Sequence, residues 1–148
     1  WNRHHRSMYS GSMYGKPPLF FAVWGYILGH MQPTGTDNRE MTVELNPVLL
    51  SGVFGGPEHS PAEKILEVIE ELCSPDPGSR TQDHEGRRLL PTDREPCLGP
   101  CTYVVVNGAK HSQLMALDER RVKAREAMRK IRAARRRNRD DESVEDAG

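Results

Sequence analysis

The stretch from Cys73 to Leu90 limits the fold of this chain more than any other part of the sequence. An amphipathic helical pattern ends where the stretch begins, and a strand-like pattern starts where it ends. Pro75 and Pro77 cannot continue a helix, because each lacks a backbone N–H and forces the residue before it out of the α region. The stretch therefore predicts the end of a helix, a polar loop and the start of a strand.

The segment before this loop has a clear helical periodicity. Its predicted helix covers residues 61–73, and Ser60, Pro61 and Glu63 predict a capping box at its N-terminus. The apolar stripe is formed by Ala62, Ile65, Leu66, Ile69 and Leu72. The opposite face carries Glu63, Lys64, Glu67, Glu70 and Glu71. One side of this helix is therefore predicted to be buried and the other to be exposed and acidic.

An upstream helix is predicted over residues 17–31. Pro17 and Pro18 suit a first helical turn, and the segment is apolar over most of its surface, which is typical of a helix at the centre of a core. It is too short to span a bilayer, although an interfacial membrane position is the alternative. A polar loop is predicted at residues 32–41, and a short strand at 42–45.

A second helix is predicted directly after that strand. Asn46 followed by Pro47 is typical of an N-cap and a first helical position, and the helix is expected to reach Phe54. Its apolar residues are Val48, Leu49 and Val53.

The C-terminal half is predicted to contain a hairpin and a long helix. Residues 87–90 and 102–106 flank a turn-rich segment, 91–100, and together they predict two antiparallel strands with a long tip. A long basic helix is predicted over residues 111–139, and a disordered acidic tail over 140–148.

This order of helix, short strand, helix, helix and hairpin is that of a winged helix-turn-helix. The predicted fold class is therefore α+β, with three short helices and a β-hairpin wing followed by a long basic C-terminal helix. The winged-helix domain is placed at residues 17–110, after a flexible N-terminal arm at residues 1–16. Such modules usually bind nucleic acid, with the third helix in the major groove.

Several sequence blocks support this interpretation. They lie at Val43–Pro47, Leu72–Arg80, Glu85–Leu89, Val105–Lys110 and Asp118–Arg121. Together they resemble a family of small bacteriophage winged-helix replication proteins, akin to replisome organisers and to the N-terminal domains of bacterial primosome-initiation proteins. The resemblance covers about residues 8–139.

The resemblance implies a protein without a catalytic centre that binds DNA or self-assembles at a replication origin. It implies the cytoplasm of a bacterial host cell as the location, and replication proteins such as a helicase loader as further partners. Two features depart from the family. His111 and Ser112 stand where the family more often has an aromatic residue followed by Arg, and a hairpin tip with Cys97 and Cys101 is unusual for it.

Charge is distributed very unevenly along the chain, although the formal net charge is zero. Residues 118–139 contain 11 basic and 3 acidic side chains, and residues 140–148 contain 5 acidic and no basic ones. A basic segment of this kind favours an anionic partner. The residues predicted to contact DNA are Arg80, Arg87, Arg88, Lys110, Arg120, Arg121, Lys123, Arg125, Arg129, Lys130, Arg132, Arg135, Arg136 and Arg137.

Each of these predicted contacts has a structural alternative. The basic helix is otherwise a solvated charged helix, and Arg80, Arg87 and Arg88 otherwise pair with Asp76, Glu85 or the glutamates of the third helix. That acidic third helix would be repelled by phosphates, so DNA is expected to meet the wing and the C-terminal helix instead. A self-assembling protein-interaction module and a winged-helix transcriptional regulator are the alternative functions.

Other chemistries have little support in the sequence. It contains no phosphate-binding loop and no nucleophile elbow, so we predict neither an enzyme nor a cofactor. Cys97 and Cys101, with Cys73, His84 and His111, match no firm zinc pattern. Free thiols in a reducing compartment, no bound metal and no membrane partner are therefore predicted.

Overall fold

The computed structural model of the protein describes residues 11–35 and 39–145. Within these ranges the chain is α+β, with four α-helices and a four-stranded antiparallel sheet. In chain order the elements are α1 (Pro18–His30), β1 (Gln32–Thr34), β2 (Glu40–Leu45), α2 (Pro47–Val53), α3 (Ala62–Cys73), β3 (Leu89–Pro91), β4 (Cys101–Val105) and α4 (Gly108–Glu145). The predicted α+β class and the long C-terminal helix are confirmed.

The sheet has the strand order β1-β2-β4-β3. Its centre is the β2–β4 pair, in which Met41 lies opposite Val105 and Leu45 opposite Cys101. Inward and outward side chains alternate along both strands, as expected for a sheet with one buried face. The prediction of a loop was wrong for Gln32–Thr34, which form the edge strand β1. All three side chains are exposed, so the strand has no apolar alternation that would reveal it.

Helix α1 lies in the core, as its apolar surface predicts. It begins at Pro18, directly after Pro17, and the prediction of a proline-containing first turn is confirmed. Its buried residues are Phe20, Val23, Trp24, Ile27 and Leu28. Among the residues described, the structure has no helix that combines the length and the apolar character needed to cross a membrane.

The two predicted N-caps have opposite outcomes. Asn46 caps α2, since its Oδ1 accepts hydrogen bonds from the backbone N–H groups of Val48 at 3.1 Å and Leu49 at 3.4 Å. The capping box at Ser60 was wrong, because α3 begins at Ala62 and has no side-chain cap. The Ser60 hydroxyl instead donates to the carbonyl of Phe54 at 2.9 Å. It therefore stabilises the C-terminal end of α2.

The N-terminal segment joins the domain earlier than predicted. Residues 1–10 of the predicted flexible arm lie outside the described residues. From Gly11 to Met13 the chain forms a short 3₁₀ turn, and the Met13 side chain is buried in the core. Lys16 forms an ion pair with Glu71 of α3. The predicted boundary at residue 16 therefore differs from the structure, because this segment contributes an apolar anchor to the core.

The predicted hairpin is confirmed as the antiparallel pair β3–β4, with Leu89 opposite Val105 and Pro91 opposite Tyr103. Asn107 follows β4 with a positive φ of 59°, and Gly108 then begins α4. Gly108 lies so close to β2 that an added Cβ would be 2.6 Å from the Cβ of Met41, so the start of this helix requires glycine. His111 lies edge-on to Trp24 with ring centroids 5.9 Å apart.

Helix α4 extends beyond both predicted ends. It begins at Gly108, earlier than the predicted residue 111, and continues to Glu145 through part of the predicted disordered tail. Adding residues to an existing helix requires no new nucleation, which explains why polar residues continue it. The chain divides into two compact units, Trp1–Ser112 and Gln113–Gly148. The buried apolar side chains of the described residues all lie between Met13 and Val105, so the first unit contains the core.

Candidate functional site

The second unit presents the predicted basic residues to solvent. From Arg120 to Arg137 the side chains are exposed, and ten of them are cationic whereas only Glu126 is acidic. The predicted contacts on this segment are Arg120, Arg121, Lys123, Arg125, Arg129, Lys130, Arg132, Arg135, Arg136 and Arg137. At 1.5 Å per residue they extend along about 27 Å of helix and cover all of its sides. Such a distribution suits a partner whose negative charge is also spread over a long path.

Four of these arginines share one side of the helix with apolar side chains. Arg125, Arg129, Arg132 and Arg136 line a shallow groove along α4 together with Ala124, Met128 and Ala133. At 3.6 residues per turn the four arginines lie next to one another, and the apolar residues flank them. Guanidinium groups clustered in this way can bind phosphates, while their aliphatic stems and the flanking residues offer apolar surface.

Arg88 forms internal contacts directly before β3. Its Nη1 donates to Asp76 Oδ2 at 2.8 Å, and its Nη2 donates to Ser12 Oγ at 2.8 Å. Only 18% of its side chain is exposed. Burial by itself raises the pKa of the Asp76 carboxyl, but the hydrogen bonds from Arg88, Ser12 and the Gly78 backbone outweigh burial and lower it. Arg88 therefore connects the N-terminal segment to the loop, which matches the structural alternative given for it above.

The other predicted contacts of the first unit are more accessible. Arg87 is half-buried and pairs with Glu85 at 2.9 Å, whereas Arg80 is exposed in the same loop. Lys110 is exposed in the first turn of α4. The structure thus brings Arg80, Arg87 and Arg88 into one loop region, and it places the arginines after Ser112 in a separate unit.

The loop between α3 and β3 is held in an unusual backbone conformation. His84 and Glu85 have positive φ values of 52° and 60°, and Gly86 has a φ of 79°. A Cβ on Gly86 would lie 2.2 Å from the carbonyl oxygen of Asp76. The backbone N–H of Asp76 donates to the carbonyl of Glu85 at 3.0 Å, which closes the loop on itself. This stretch, prominent in the sequence, is thus a closed loop between α3 and the β3–β4 hairpin.

Helix α3 presents the acidic face that its sequence predicts. The side chains of Glu63, Glu67, Glu70 and Glu71 are exposed. Lys64 pairs with Glu67 at 3.1 Å, and Lys16 pairs with Glu71, so this face keeps an excess of negative charge. The buried stripe includes Val68, which the sequence reading omitted, whereas Leu66 is only half-buried. A phosphate backbone close to this face would be repelled.

Helix α2 exposes an apolar face that sequence reasoning did not identify as a surface. Val48, Leu49 and Val53 are 57%, 69% and 62% exposed, whereas Leu50 is 2% exposed. Four large apolar residues on a helix of only two turns cannot all face the same core, and this is the signal that would have revealed the surface. Clustered exposed apolar side chains often mark protein interaction sites.

A pair of sulfurs lies at the base of the hairpin tip. Cys97 Sγ and Cys101 Sγ are 3.2 Å apart, and Cys73 is a third free cysteine. Burial raises the pKa of the Cys73 thiol to about 12. Across the described parts of the chain, no three His, Cys, Asp or Glu side chains are arranged to hold a metal ion.

Comparison of the chain with known protein families, with curated proteins and with solved structures found no match. The choice between candidate functions therefore depends on the charged and apolar surfaces of the chain itself.

Proposed function

We propose that this protein is a non-catalytic DNA-binding protein whose α4 arginines contact the phosphate backbone. The observation that carries this proposal is the exposure of ten cationic side chains against one acidic side chain between Arg120 and Arg137. Each phosphate neutralised by such a side chain releases bound counterions, which gives affinity that depends on salt and little on sequence. A merely solvated helix would gain nothing from so many like charges on all sides, because they repel one another.

The first unit is proposed to be a winged helix. The element order supports this proposal, as does the pairing of β2, the strand that precedes α2, with β4, the second strand of the hairpin. The acidic face of α3 argues against reading the major groove with that helix, so DNA is expected to contact the wing base and α4. The resemblance to phage replication proteins makes DNA replication the proposed context.

The salt dependence of DNA binding tests the proposal. Binding of the full chain to a random-sequence duplex is measured by fluorescence anisotropy over a series of salt concentrations. In the test variant Arg125, Arg129, Arg132 and Arg136 are all replaced by Gln, which preserves helix propensity. We expect the magnitude of the negative slope of log K against log[salt] to decrease by up to about 3.6, because each of the four lost phosphate contacts removes about 0.9 from it.

The matched control changes charge on the acidic helix. Glu63→Gln, Glu67→Gln and Glu70→Gln together should leave the affinity within about twofold, since exposed charges further than about 10 Å from phosphates are largely screened. An unchanged slope in the arginine variant would contradict the DNA-binding role of α4. A large gain in affinity in the glutamate variant would show instead that α3 lies close to DNA.

The apolar face of α2 favours a second candidate function. Exposed Val48, Leu49 and Val53 form a surface on which two copies of the chain can associate by burying apolar area. In this alternative the first unit assembles the protein, and α4 binds an acidic polypeptide in place of DNA. Polyglutamate competing as effectively as duplex for the full chain would favour the alternative.

A further inference from the structure

The tip of the wing hairpin brings two thiols into contact. Cys97 lies in the loop between β3 and β4, and Cys101 is the first residue of β4. Their Sγ atoms are 3.2 Å apart, which is a non-bonded contact between two free thiols. No large backbone movement is needed to join two sulfurs at this distance.

The loop that carries Cys97 is held closed by its own hydrogen bonds. At its base the backbone N–H and the hydroxyl of Thr92 both donate to the carbonyl of Thr102, at 3.2 and 3.0 Å. Within the loop, Arg94 donates to the carbonyl of Pro100. These bonds hold the loop against the start of β4, so the contact between the sulfurs does not depend on a chance encounter of two mobile segments.

The two sulfurs differ in accessibility. Cys97 is half-buried, whereas only 2% of Cys101 is exposed. Burial opposes ionisation of Cys101, but hydrogen bonds from Cys97, Tyr103 and Arg94 outweigh it and lower the pKa of that thiol. Burial also raises the pKa of Tyr103 far above its ordinary value, so its hydroxyl keeps the proton that it donates. A reagent therefore reaches Cys97 first, and the buried sulfur of Cys101 lies directly behind it, 3.2 Å away.

We propose that Cys97 and Cys101 form a thiol–disulfide exchange site whose substrates are low-molecular-weight disulfides. Cys97 gives up its thiol proton and the resulting thiolate attacks one sulfur of the small disulfide, so a mixed disulfide forms and one small thiolate leaves and takes up a proton. Cys101 then gives up its thiol proton and attacks Cys97 Sγ, which forms the Cys97–Cys101 bond and releases the second small thiolate, which is protonated in turn. In total the protein loses two electrons and two protons, and one small disulfide is reduced to two thiols.

Cys73 is not part of this exchange. Its thiol pKa of about 12 leaves almost no thiolate at neutral pH, and the thiolate is the attacking form. Of the three cysteines, only Cys97 and Cys101 are therefore expected to take part in the exchange.

Mass spectrometry of the full chain tests the proposal without any reference to DNA. The reduced protein is incubated with oxidised glutathione at neutral pH, denatured and alkylated with iodoacetamide. Unreacted protein takes up three alkyl groups, because all three cysteines are free. After incubation we expect one alkyl group, at Cys73, and a peptide map that shows Cys97 joined to Cys101 with no glutathione retained.

Single substitutions separate the two steps. Cys101→Ser should stop the reaction at a stable glutathione adduct on Cys97, and Cys97→Ser should prevent adduct formation because Cys101 is buried. Cys73→Ser is the matched control and should form the Cys97–Cys101 disulfide as fast as the natural chain. Arg94→Gln should slow formation of the Cys97–Cys101 disulfide by about threefold for each unit by which it raises the pKa of Cys101. A higher pKa lowers the fraction of Cys101 thiolate, but the more basic thiolate is also the stronger nucleophile, which partly offsets the loss.

Three results would overturn the proposal. They are retention of all three alkylatable thiols, a persistent glutathione adduct on the natural chain, and a disulfide that includes Cys73. If Cys101→Ser does not fold, as judged by circular dichroism, the peptide map of the natural chain and the behaviour of Cys97→Ser still decide the outcome.

Discussion

Arg88 joins three parts of the chain that are far apart in sequence. Its guanidinium binds Asp76 in the loop and Ser12 in the N-terminal segment. Its backbone N–H donates to the carbonyl of Leu72, at the end of α3, at 2.9 Å. An arginine at the base of a wing can serve either DNA or the fold, and these contacts show that Arg88 stabilises the fold whether or not it also approaches DNA.

We expect Asp76→Asn to lower the free energy of unfolding by about 1–2 kcal/mol at neutral pH, because a partly buried, charge-assisted hydrogen bond is lost. The pKa of Asp76 is lowered in the folded protein. Its stabilising effect is therefore complete above the unfolded pKa of about 3.9, and is lost as the pH falls through the folded value. Urea unfolding of both proteins should show their difference narrowing below about pH 4.

Glu85→Gln is the matched control for that experiment. Glu85 also pairs with an arginine, but 70% of its side chain is exposed. Its substitution should change the free energy of unfolding by at most about 0.5 kcal/mol at any pH, as is usual for surface ion pairs. Equal losses in the two variants would mean that burial of Arg88 adds nothing to its pairing with Asp76.

At the scale of elements, α2 shows how one short helix divides its apolar residues between core and surface. Leu50 is buried and adjacent Leu49 is exposed. We expect Leu50→Ala to reduce the free energy of unfolding by about 2–4 kcal/mol, since it leaves a cavity in the core. Leu49→Glu should change it by no more than about 0.5 kcal/mol, since the side chain touches little. Chemical denaturation measures both values.

The Leu49→Glu variant also tests the second candidate function. If two copies associate through α2, analytical ultracentrifugation should show association of the natural chain and a monomer for Leu49→Glu. Association that persists in Leu49→Glu would place the interface elsewhere, and a natural chain that stays monomeric would remove the alternative.

The helices and the hairpin were predictable because their signals are local. Asn46 and Pro47 define the start of α2, and the β-prone residues before Asn107 define β4. Strand β1 was not predictable, because its exposed residues pair with β2 only through the tertiary fold. The sulfur contact was also hidden, since the spacing of Cys97 and Cys101 does not determine the path of the loop between them.

The residues of the candidate site likewise fall into a group that the sequence could predict and a group that it could not. The exposure of the arginines after Arg120 was predictable, because the surrounding sequence contains too few apolar residues to bury them. The role of Arg88 was not, because it depends on Asp76 and Ser12 reaching the same guanidinium from distant positions in the chain. Local pattern therefore identified the charged helix, and only the three-dimensional structure distinguishes a structural arginine from the accessible ones.

For the whole molecule, the division into two units leads to a prediction about independent folding. The buried apolar side chains among the described residues lie between Met13 and Val105. His111, the residue of α4 that contacts Trp24, also lies before the boundary at Ser112. A chain ending at Ser112 should therefore unfold cooperatively, with a free energy of unfolding within about 1 kcal/mol of the full chain, as expected when no core side chain is removed. Thermal unfolding followed by near-ultraviolet circular dichroism at the buried Trp24 measures this directly.

The complementary fragment, residues 113–148, should behave differently from the same residues in the full chain. Between residues 113 and 137, where side chains are described, none is buried. Its like charges also repel along the helix, so as an isolated peptide it should be only partly helical and should melt without a cooperative transition. Addition of duplex DNA should raise its helicity if phosphates neutralise those charges, with an effect that disappears at high salt. A fully helical peptide without DNA would show that local propensity alone maintains α4. A shorter chain ending at Ser112 that fails to fold would show that the first unit depends on the helix beyond it.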